Sequence, residues 1–503
     1  MADTAPEPLV LALDAGTTGL RTIAFDRSGR PVIQAYRELT QHFPRPGWVE
    51  HDPEEIWAGV AETLAEVLAA IAPARPVAIG ITNQRETAVA WDRATGRPRH
   101  RAIVWQDRRT APRCRELEQA GHLPLVRERT GLVLDSYFSA TKWEWMLGPG
   151  GVEADDSLAL GTVDSWVMWR LTGGRDGGVF ATDPSNASRT LIFDIASGRW
   201  DPDLADLFGI PVGALAEVRG SSGRFAETAA VADGIPAGIP VSGVAGDQQA
   251  ALFGQACFQP GMTKNTYGTG SFVLMNVGDR CPPPTDGLLT TVAWDLGAGA
   301  VTYALEGSIF VTGAAVQWLR DGLAVISEAA ETEALATSIA SSEGVYFVPA
   351  LTGLGSPWWD PDARGLVTGL SRGSGRAHLA RAAVEAMALQ TRDVIESMST
   401  AGGHPPAEMR VDGGAAVMDF LLRIQAQQVR VPVARSAVID TTARGAAWLA
   451  GMAEGVWTMD ELAATWSDGG RFEPAPPFDD ADALYAGWHR AVERSRRWAA
   501  APG

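Results

Sequence analysis

Leu9-Val-Leu-Ala-Leu-Asp14-Ala-Gly-Thr-Thr18-Gly-Leu-Arg21-Thr-Ile-Ala-Phe25-Asp26 is the stretch from which the rest of the chain is read. An apolar run, Leu9–Leu13, ends on Asp14, turns through Gly16, Thr17 and Thr18, and enters a second strand-like run, Arg21–Phe25. Asp26–Arg30 reads as a further turn. Glycine and threonine in such a turn offer N–H and hydroxyl donors to phosphate oxygens, and an adjoining aspartate can hold Mg²⁺. Two commoner phosphate motifs are excluded. A Walker A loop needs a lysine and opens a helix, and a Rossmann fingerprint needs three spaced glycines at a helix start. Taken alone, Asp-x-Gly-Thr-Thr is more often an ordinary tight turn, so the remainder of the chain decides its meaning.

At 503 residues the chain is too long for one core, and two large domains are expected. Hydrophobic content of 46% and charged content of 20% are those of a globular protein. A net charge of −18 argues against a non-specific nucleic-acid or anionic-membrane binder, because both need a basic footprint. Cys114, Cys257 and Cys281 are far apart and lack metal spacing, which suggests a reducing compartment. Met1–Pro8 is short, acidic and proline-containing, unlike a signal peptide, and no apolar run approaches the roughly 18 residues of a membrane span. A cytoplasmic protein is expected.

Further along, Asp52-Pro53-Glu54-Glu55 predicts a helix start with Asp52 as N-cap and Glu55 closing a capping box. Ile56, Val60, Leu64, Val67 and Ile71 then share one face. Arg85 and Glu86 lie where strand Val77–Thr82 ends and Ala88–Asp92 begins. They are either a solvated pair or ligand contacts, since loops at strand ends are where α/β domains bind ligands. Trp105 is core or the flat wall of a pocket. Asn186–Thr190 reads as a polar loop. The strand before Asp247 carries Gly243 and Gly246, and a helix-forming run follows at once. Asp247 is therefore an N-cap, or a carboxylate within reach of a substrate hydroxyl with Gln248 beside it.

Near Pro260-Gly261 the chain changes domain, and Lys264–Met275 repeats the opening pattern of strand, Gly-Thr-Gly turn and strand. Two such hairpins facing one another would grip a nucleotide's phosphates from both sides. Gly313 and Gln317 stand at a helix start, His378–Met398 reads as a long core helix, and Asp412-Gly413-Gly414 ends a strand. The double glycine allows close approach of a flat ligand such as adenine.

Over roughly residues 8–460 the chain resembles the FGGY carbohydrate kinases of the actin/hexokinase/Hsp70-like superfamily, and within them the branch acting on glycerol. The resemblance rests on Gly47–Pro53, Ile79–Thr87, Val104–Thr110, Asn186–Thr190, Gly246–Gly254, Lys264–Gly270 and Val345–Asp360. Lys142 with Trp145, and Gly365–Ala382, resemble two signatures of the wider family. The resemblance implies an α/β fold of two RNase H-like (actin-like ATPase) domains, each a mixed sheet flanked by helices, around a central cleft. We place them at residues 1–256 and 257–503. It implies ATP and Mg²⁺, transfer of the γ-phosphoryl group to glycerol, and a homodimer or homotetramer. Arg85, Glu86, Trp105, Tyr137, Asp247, Gln248 and Phe272 match polyol-binding positions, the two rings facing its carbon edge. Asp247 matches the general base, and Asp14 and Asp247 the carboxylates near Mg²⁺. Thr17, Thr18, Arg21, Thr269, Gly313, Gln317 and Gly414 match nucleotide contacts. A kinase for another small polyol, or a silent family member, are the competing readings.

Three departures from the family pattern stand out. Ala15 replaces a common glutamine, Gly19-Leu20 replaces a serine pair, and Met418 falls where an asparagine contacts the nucleotide; methionine cannot supply amide hydrogen bonds. The glycine-rich, arginine-bearing loop through which relatives sense fructose 1,6-bisphosphate is here Thr228-Ala-Ala-Val-Ala-Asp233-Gly. Turnover is therefore expected to be insensitive to that compound. Clear inhibition at sub-millimolar concentration in a coupled ADP-release assay would overturn this.

Overall fold

Asp14 and Arg21 face each other across the opening hairpin, where β1 (Val10–Ala15) pairs antiparallel with β2 (Gly19–Phe25). The computed structural model describes residues 7–297, 299–403 and 405–499. Around the hairpin a six-stranded sheet is completed by β3 (Pro31–Glu38), β4 (Ala78–Asn83), β5 (Ser222–Glu227) and β6 (Pro240–Gly246), in the order β5-β6-β4-β1-β2-β3. β1, β4 and β6 run parallel, while β2 and β3 extend the antiparallel side. β1 and β4 are buried at every residue, as strands covered on both faces must be. Edge strand β3 is largely exposed and interleaves Gln34, Arg37 and Glu38 among its apolar residues.

The second sheet, of seven strands, repeats the central hairpin and its parallel neighbour. β7 (Met262–Tyr267), β8 (Ser271–Gly278), β9 (Leu289–Asp295), β10 (Val301–Ile309), β11 (Glu408–Gly413), β12 (Val433–Ser436) and β13 (Asp468–Phe472) stand in the order β9-β10-β8-β7-β11-β12-β13. β7, β11 and β12 are parallel, and β7, β8 and β10 form the antiparallel side. The duplicated strand–turn–strand read from the sequence is thus the centre of two mixed sheets, each with an antiparallel hairpin whose first strand pairs parallel with a later one; the outer strands are connected differently in the two.

Helix α1 (Pro53–Ile71) buries Ile56, Val60, Leu64 and Val67 against the first sheet. Asp52 caps it through Glu54 N at 2.9 Å; the expected capping box with Glu55 is not formed, and that carboxylate points toward His42 instead. Helix α2 (Asp247–Gly254) follows β6, and α3 (Arg376–Gly402) buries Ala383, Met387, Val394 and Met398 in the second core. Among the described residues no helix is long and apolar enough to cross a membrane.

The strands divide between the sheets on either side of residue 256, but α4 (Thr441–Ala453) does not follow that division. It leaves the second sheet and packs against β1, β4, β6 and α2. Glycines allow this approach. A Cβ on Gly80 would lie 2.0 Å from the Ala446 carbonyl oxygen, one on Gly254 2.0 Å from that of Thr441, and one on Gly445 1.8 Å from that of Ala250. The apolar cluster they enclose joins Val10, Ala12 and Ala78 to Ala446, Trp448 and Leu449, and extends to Leu274 and Trp294 of the second sheet.

Backbone atoms cannot swing aside as a side chain can, so Gly445→Ala forces α2 and α4 apart. A destabilisation of about 1–3 kcal/mol or more is expected. Urea unfolding should show it, whereas Gly213→Ala, with open space around the new methyl, should stay within about 0.5 kcal/mol.

Candidate active site

Strand register brings the candidate residues to one edge. Ala15, Asn83 and Gly246 are aligned across β1, β4 and β6, so Asp14, the Arg85-Glu86 loop and Asp247 emerge side by side at the carboxyl ends of parallel strands. The second sheet supplies the facing edge, where Tyr267 is aligned with Gly413.

Arg85 is 2% exposed and Glu86 1%, so the pair is not solvated. Arg85 is gripped by Glu306 of β10, Nη1 to Oε2 at 2.6 Å and Nη2 to Oε1 at 3.1 Å. Its Nη2 also donates to Tyr137 Oη at 3.2 Å, and its Nε lies 3.2 Å from Asp247 Oδ1. Arg189 completes the cluster, donating from Nη2 to Glu306 at 2.9 Å and from Nε to Glu86 at 2.7 Å. Burial pushes the Glu306 carboxyl up, but the Arg189 and Arg85 guanidiniums outweigh it and hold it at about 2. Burial raises Glu86, with the same two arginines opposing.

Neither Glu306 nor Arg189 was singled out from the sequence. The segment read as a polar loop is a buried turn in which Asn186, Ser188 and Arg189 are fully enclosed. A charged residue inside so polar a run looks solvent-facing until its carboxylate partners, more than 100 positions away, are in view.

Glu86 has φ 59°, left-handed for a residue with a side chain. Its carbonyl accepts from Ser139 Oγ and from Lys142 Nζ, and its carboxylate is fixed by Arg189. Burial pushes Lys142 down to about 7, and its ammonium also donates to the Tyr137 and Phe138 carbonyls. Lys142 thus ties together the two loops that carry Glu86 and Tyr137. Trp145 lies elsewhere, with Trp48 on the Arg109 guanidinium.

Asp247 is the first residue of α2, and its Oδ1 accepts from Gln248 N at 2.8 Å. Among the described residues Oδ2 has no hydrogen-bond partner. About a third of the side chain remains open to the cleft (31%), and burial of the rest raises its pKa against the opposing pull of Arg85 and Lys264. Lys264, pushed by burial to about 8, donates to the Gln248 side-chain oxygen, which leaves that residue's amide NH₂ for a ligand. Trp105 stands 5.6 Å from Tyr137 and 6.4 Å from Phe272, centroid to centroid, both edge-on. Trp105 and Phe272 are each partly exposed. Hydrogen-bonding groups and two aromatic rings therefore meet in one place.

Thr18 and Thr269 are exposed at the two hairpin turns. Thr17 accepts from Trp105 Nε1 at 2.9 Å, joining the first turn to the ring that stands beside Tyr137. Gly313 packs on the second turn, its N–H donating to the Gly268 carbonyl at 3.0 Å; a Cβ would lie 2.5 Å from that oxygen. Gln317 and Gly414 are exposed, and nothing lies within 4 Å of a Cβ built on Gly414. Gly413 before it has φ 87° and sits against the Tyr267 backbone. Arg21 is held between Asp14 at 2.7 Å and Asp440 at 2.9 Å, so its charge already offsets two carboxylates. Met418 is buried in the second core. Gln255 and Thr441 hydrogen-bond Asp412.

The donors present suit a hard divalent cation. Asp14 Oδ1 and Asp247 Oδ2 are unengaged among the described residues, and burial raises the pKa of both carboxyls. No group of three or more acidic, histidine or cysteine side chains converges among those residues. Mg²⁺ takes one or two carboxylates and completes its shell with water and phosphate oxygens, so Asp14 and Asp247 are the residues that would hold it.

Removing the Glu306 charge should loosen Arg85 selectively. In Glu306→Gln the KM for the substrate that Arg85 contacts should rise about tenfold or more, since hydrogen bonds between charged groups are worth about 1.5–3 kcal/mol each. The KM for a substrate held at the two hairpin turns should stay within about twofold, because neither turn touches Glu306. An unchanged KM for the first substrate in steady-state kinetics would show that Arg85 does not depend on Glu306.

Comparison with known proteins agrees with this layout. The N-terminal domain of the FGGY family of carbohydrate kinases matches residues 9–254, and the C-terminal domain matches residues 263–454. The glycerol kinase of Dechloromonas aromatica is 54% identical over 98% of this chain and 98% of its own. Glycerol kinase 2 of Thermotoga maritima is 52% identical over 97% and 99%. Among solved structures, Plasmodium falciparum glycerol kinase with ADP superposes with a TM-score of 0.90 at 30% identity, covering 97% of this chain and 98% of that one. Gluconate kinase from Lactobacillus acidophilus, at 19% identity with TM-score 0.87 over 97% and 98%, shares the fold. With both domains matched in order along one chain that keeps these relatives' full length, the protein belongs to the FGGY family of carbohydrate kinases.

Proposed function

We propose that this chain transfers the γ-phosphoryl group of ATP to glycerol, giving sn-glycerol 3-phosphate and ADP. The observation that carries the reading is the meeting of Arg85, Tyr137 and Asp247 beside the partly exposed rings of Trp105 and Phe272. A triol offers three hydroxyls and one short apolar edge, which these groups complement. Full-length similarity to proteins named glycerol kinase supports the same substrate over a larger sugar.

In this mechanism Arg85, Glu86 and Tyr137 hold the polyol, and Gln248 donates its free amide. Asp247 accepts the proton of a terminal hydroxyl, whose oxygen then attacks the γ-phosphorus in line. Its raised pKa suits a base that must bind a proton transiently. The two hairpin turns orient the phosphates through backbone N–H groups and the hydroxyls of Thr17, Thr18 and Thr269, with Gly313, Gln317 and Gly414 shaping the nucleoside side. Arg21 offsets the charge of Asp14. Mg²⁺ at Asp14 and Asp247 would supply charge neutralisation at the transferring phosphoryl group. Approach of the units 1–256 and 257–503 would exclude water and limit wasteful hydrolysis of ATP. The proposal includes a cytoplasmic location, in keeping with three unpaired cysteines, and a homodimer or homotetramer.

Asp247→Asn keeps the side-chain shape and removes the proton acceptor. Glycerol should still bind, seen as a thermal shift, while kcat falls by about 10²–10⁴. Near-normal kcat would sink the assignment of the base. Glycerol binding with no ADP release from the unmodified protein would favour a silent binding member, and a small-polyol panel would expose any different preferred substrate.

A further inference from the structure

Beside α4, away from the polyol pocket, lies a groove of about 710 Å³ lined by parts of both halves of the chain. The tip between β2 and β3 contributes Arg30, and the segment after β12 contributes Val438, Ile439 and Asp440. Ser467 and, from α4, Arg444 complete the side chains that matter.

Arg444 is the anomaly. It is 1% exposed, yet among the described residues it forms no ion pair. Its Nε and Nη2 donate to the Gly254 carbonyl, and Nη2 reaches Ser436 Oγ at 3.3 Å. Nη1 has no hydrogen-bond partner among the described residues. Burial lowers the guanidinium to about 10, with only Asp412 giving notable opposing support. The Gly254 carbonyl and the Trp448 ring, its centroid 4.8 Å from the guanidinium carbon, answer part of that charge, but among the described residues no carboxylate lies at hydrogen-bond distance, and a buried cation without one costs several kcal/mol of desolvation. Arg30, across the groove, is exposed, and its guanidinium also has no partner among those residues.

We propose that this groove binds a phosphate monoester of a hydroxylated carbon chain. Two guanidiniums suit a dianionic phosphate, which takes several N–H donors at once. The groove exceeds what inorganic phosphate would fill, and Pro31, Val438 and Ile439 offer an apolar wall to the carbon chain. Asp440 at its border disfavours a second negative charge there and accepts hydroxyl hydrogens. Asp440 also pairs with Arg21, which holds Asp14, so the groove adjoins the phosphate side of the cleft. The inference is independent of which polyol the active site accepts.

Calorimetric titration with glucose 6-phosphate tests it, with ADP and glycerol saturating the cleft. Binding with Kd near or below about 1 mM is expected. Arg30→Ala and Arg444→Met should each weaken it about tenfold or more, as loss of a charge-assisted contact does. Neither variant should change turnover in the absence of the ester. Arg30 is exposed, so its replacement reports even where Arg444→Met unfolds. Absence of saturable heat, binding undiminished in Arg30→Ala, or equally tight binding of inorganic phosphate would each overturn the proposal.

Discussion

Glu306 sits fully buried on the second sheet and accepts from Arg85 and Arg189 of the first half, and the placing of Arg85 against Tyr137 and Asp247 depends on that contact. Taking these charges from water is costly, so the cluster persists only because each charge meets an opposite one at hydrogen-bond distance. Its value lies in position more than in stability. Arg85 presents Nε to Asp247 and Nη2 to Tyr137 while its outer edge is fixed by Glu306. The strained backbone of Glu86 is held by the same cluster through Arg189, and by Lys142 through its carbonyl.

Two sheets built on like hairpins each carry a glycine–threonine turn, and the route of the chain keeps the halves in contact. α4 carries residues 441–453 back onto the first sheet, with its carbonyls and amides almost touching those of α2 and β4. Close approach of this kind is available only where side chains are absent, which is why Gly80, Gly254 and Gly445 stand where they do.

The departures from the family pattern have different physical standing. Met418 lies in the second core, so the residue that lacks amide hydrogen-bonding capacity contributes packing instead. Ala15 is buried within β1, and its carbonyl accepts from Gln84 N at 2.8 Å, a bond that needs no particular side chain. Arg21, matched to a phosphate contact, is engaged by Asp14 and Asp440, which makes it first a neutraliser of the carboxylate edge.

Much of the plan was legible from local pattern. Strand–turn–strand punctuation marked both hairpins, helical periodicity marked α1 and α3, and the short runs around Arg85, Asp247 and Gly413 marked the candidate residues that the structure brings to the sheet edges, because turn chemistry and burial period are written over a few neighbouring residues. Three things were not legible: the cluster joining Arg85 and Arg189 to Glu306, the burial of the turn carrying Arg189, and the passage of α4 onto the first sheet. Each depends on groups more than 100 positions apart, and local sequence carries no record of which distant charge or backbone will lie alongside. Sequence alone determined the elements, the candidate residues and the chemistry they can perform; the tertiary structure decided which charges are buried together, since only a folded chain excludes the water that would otherwise separate them.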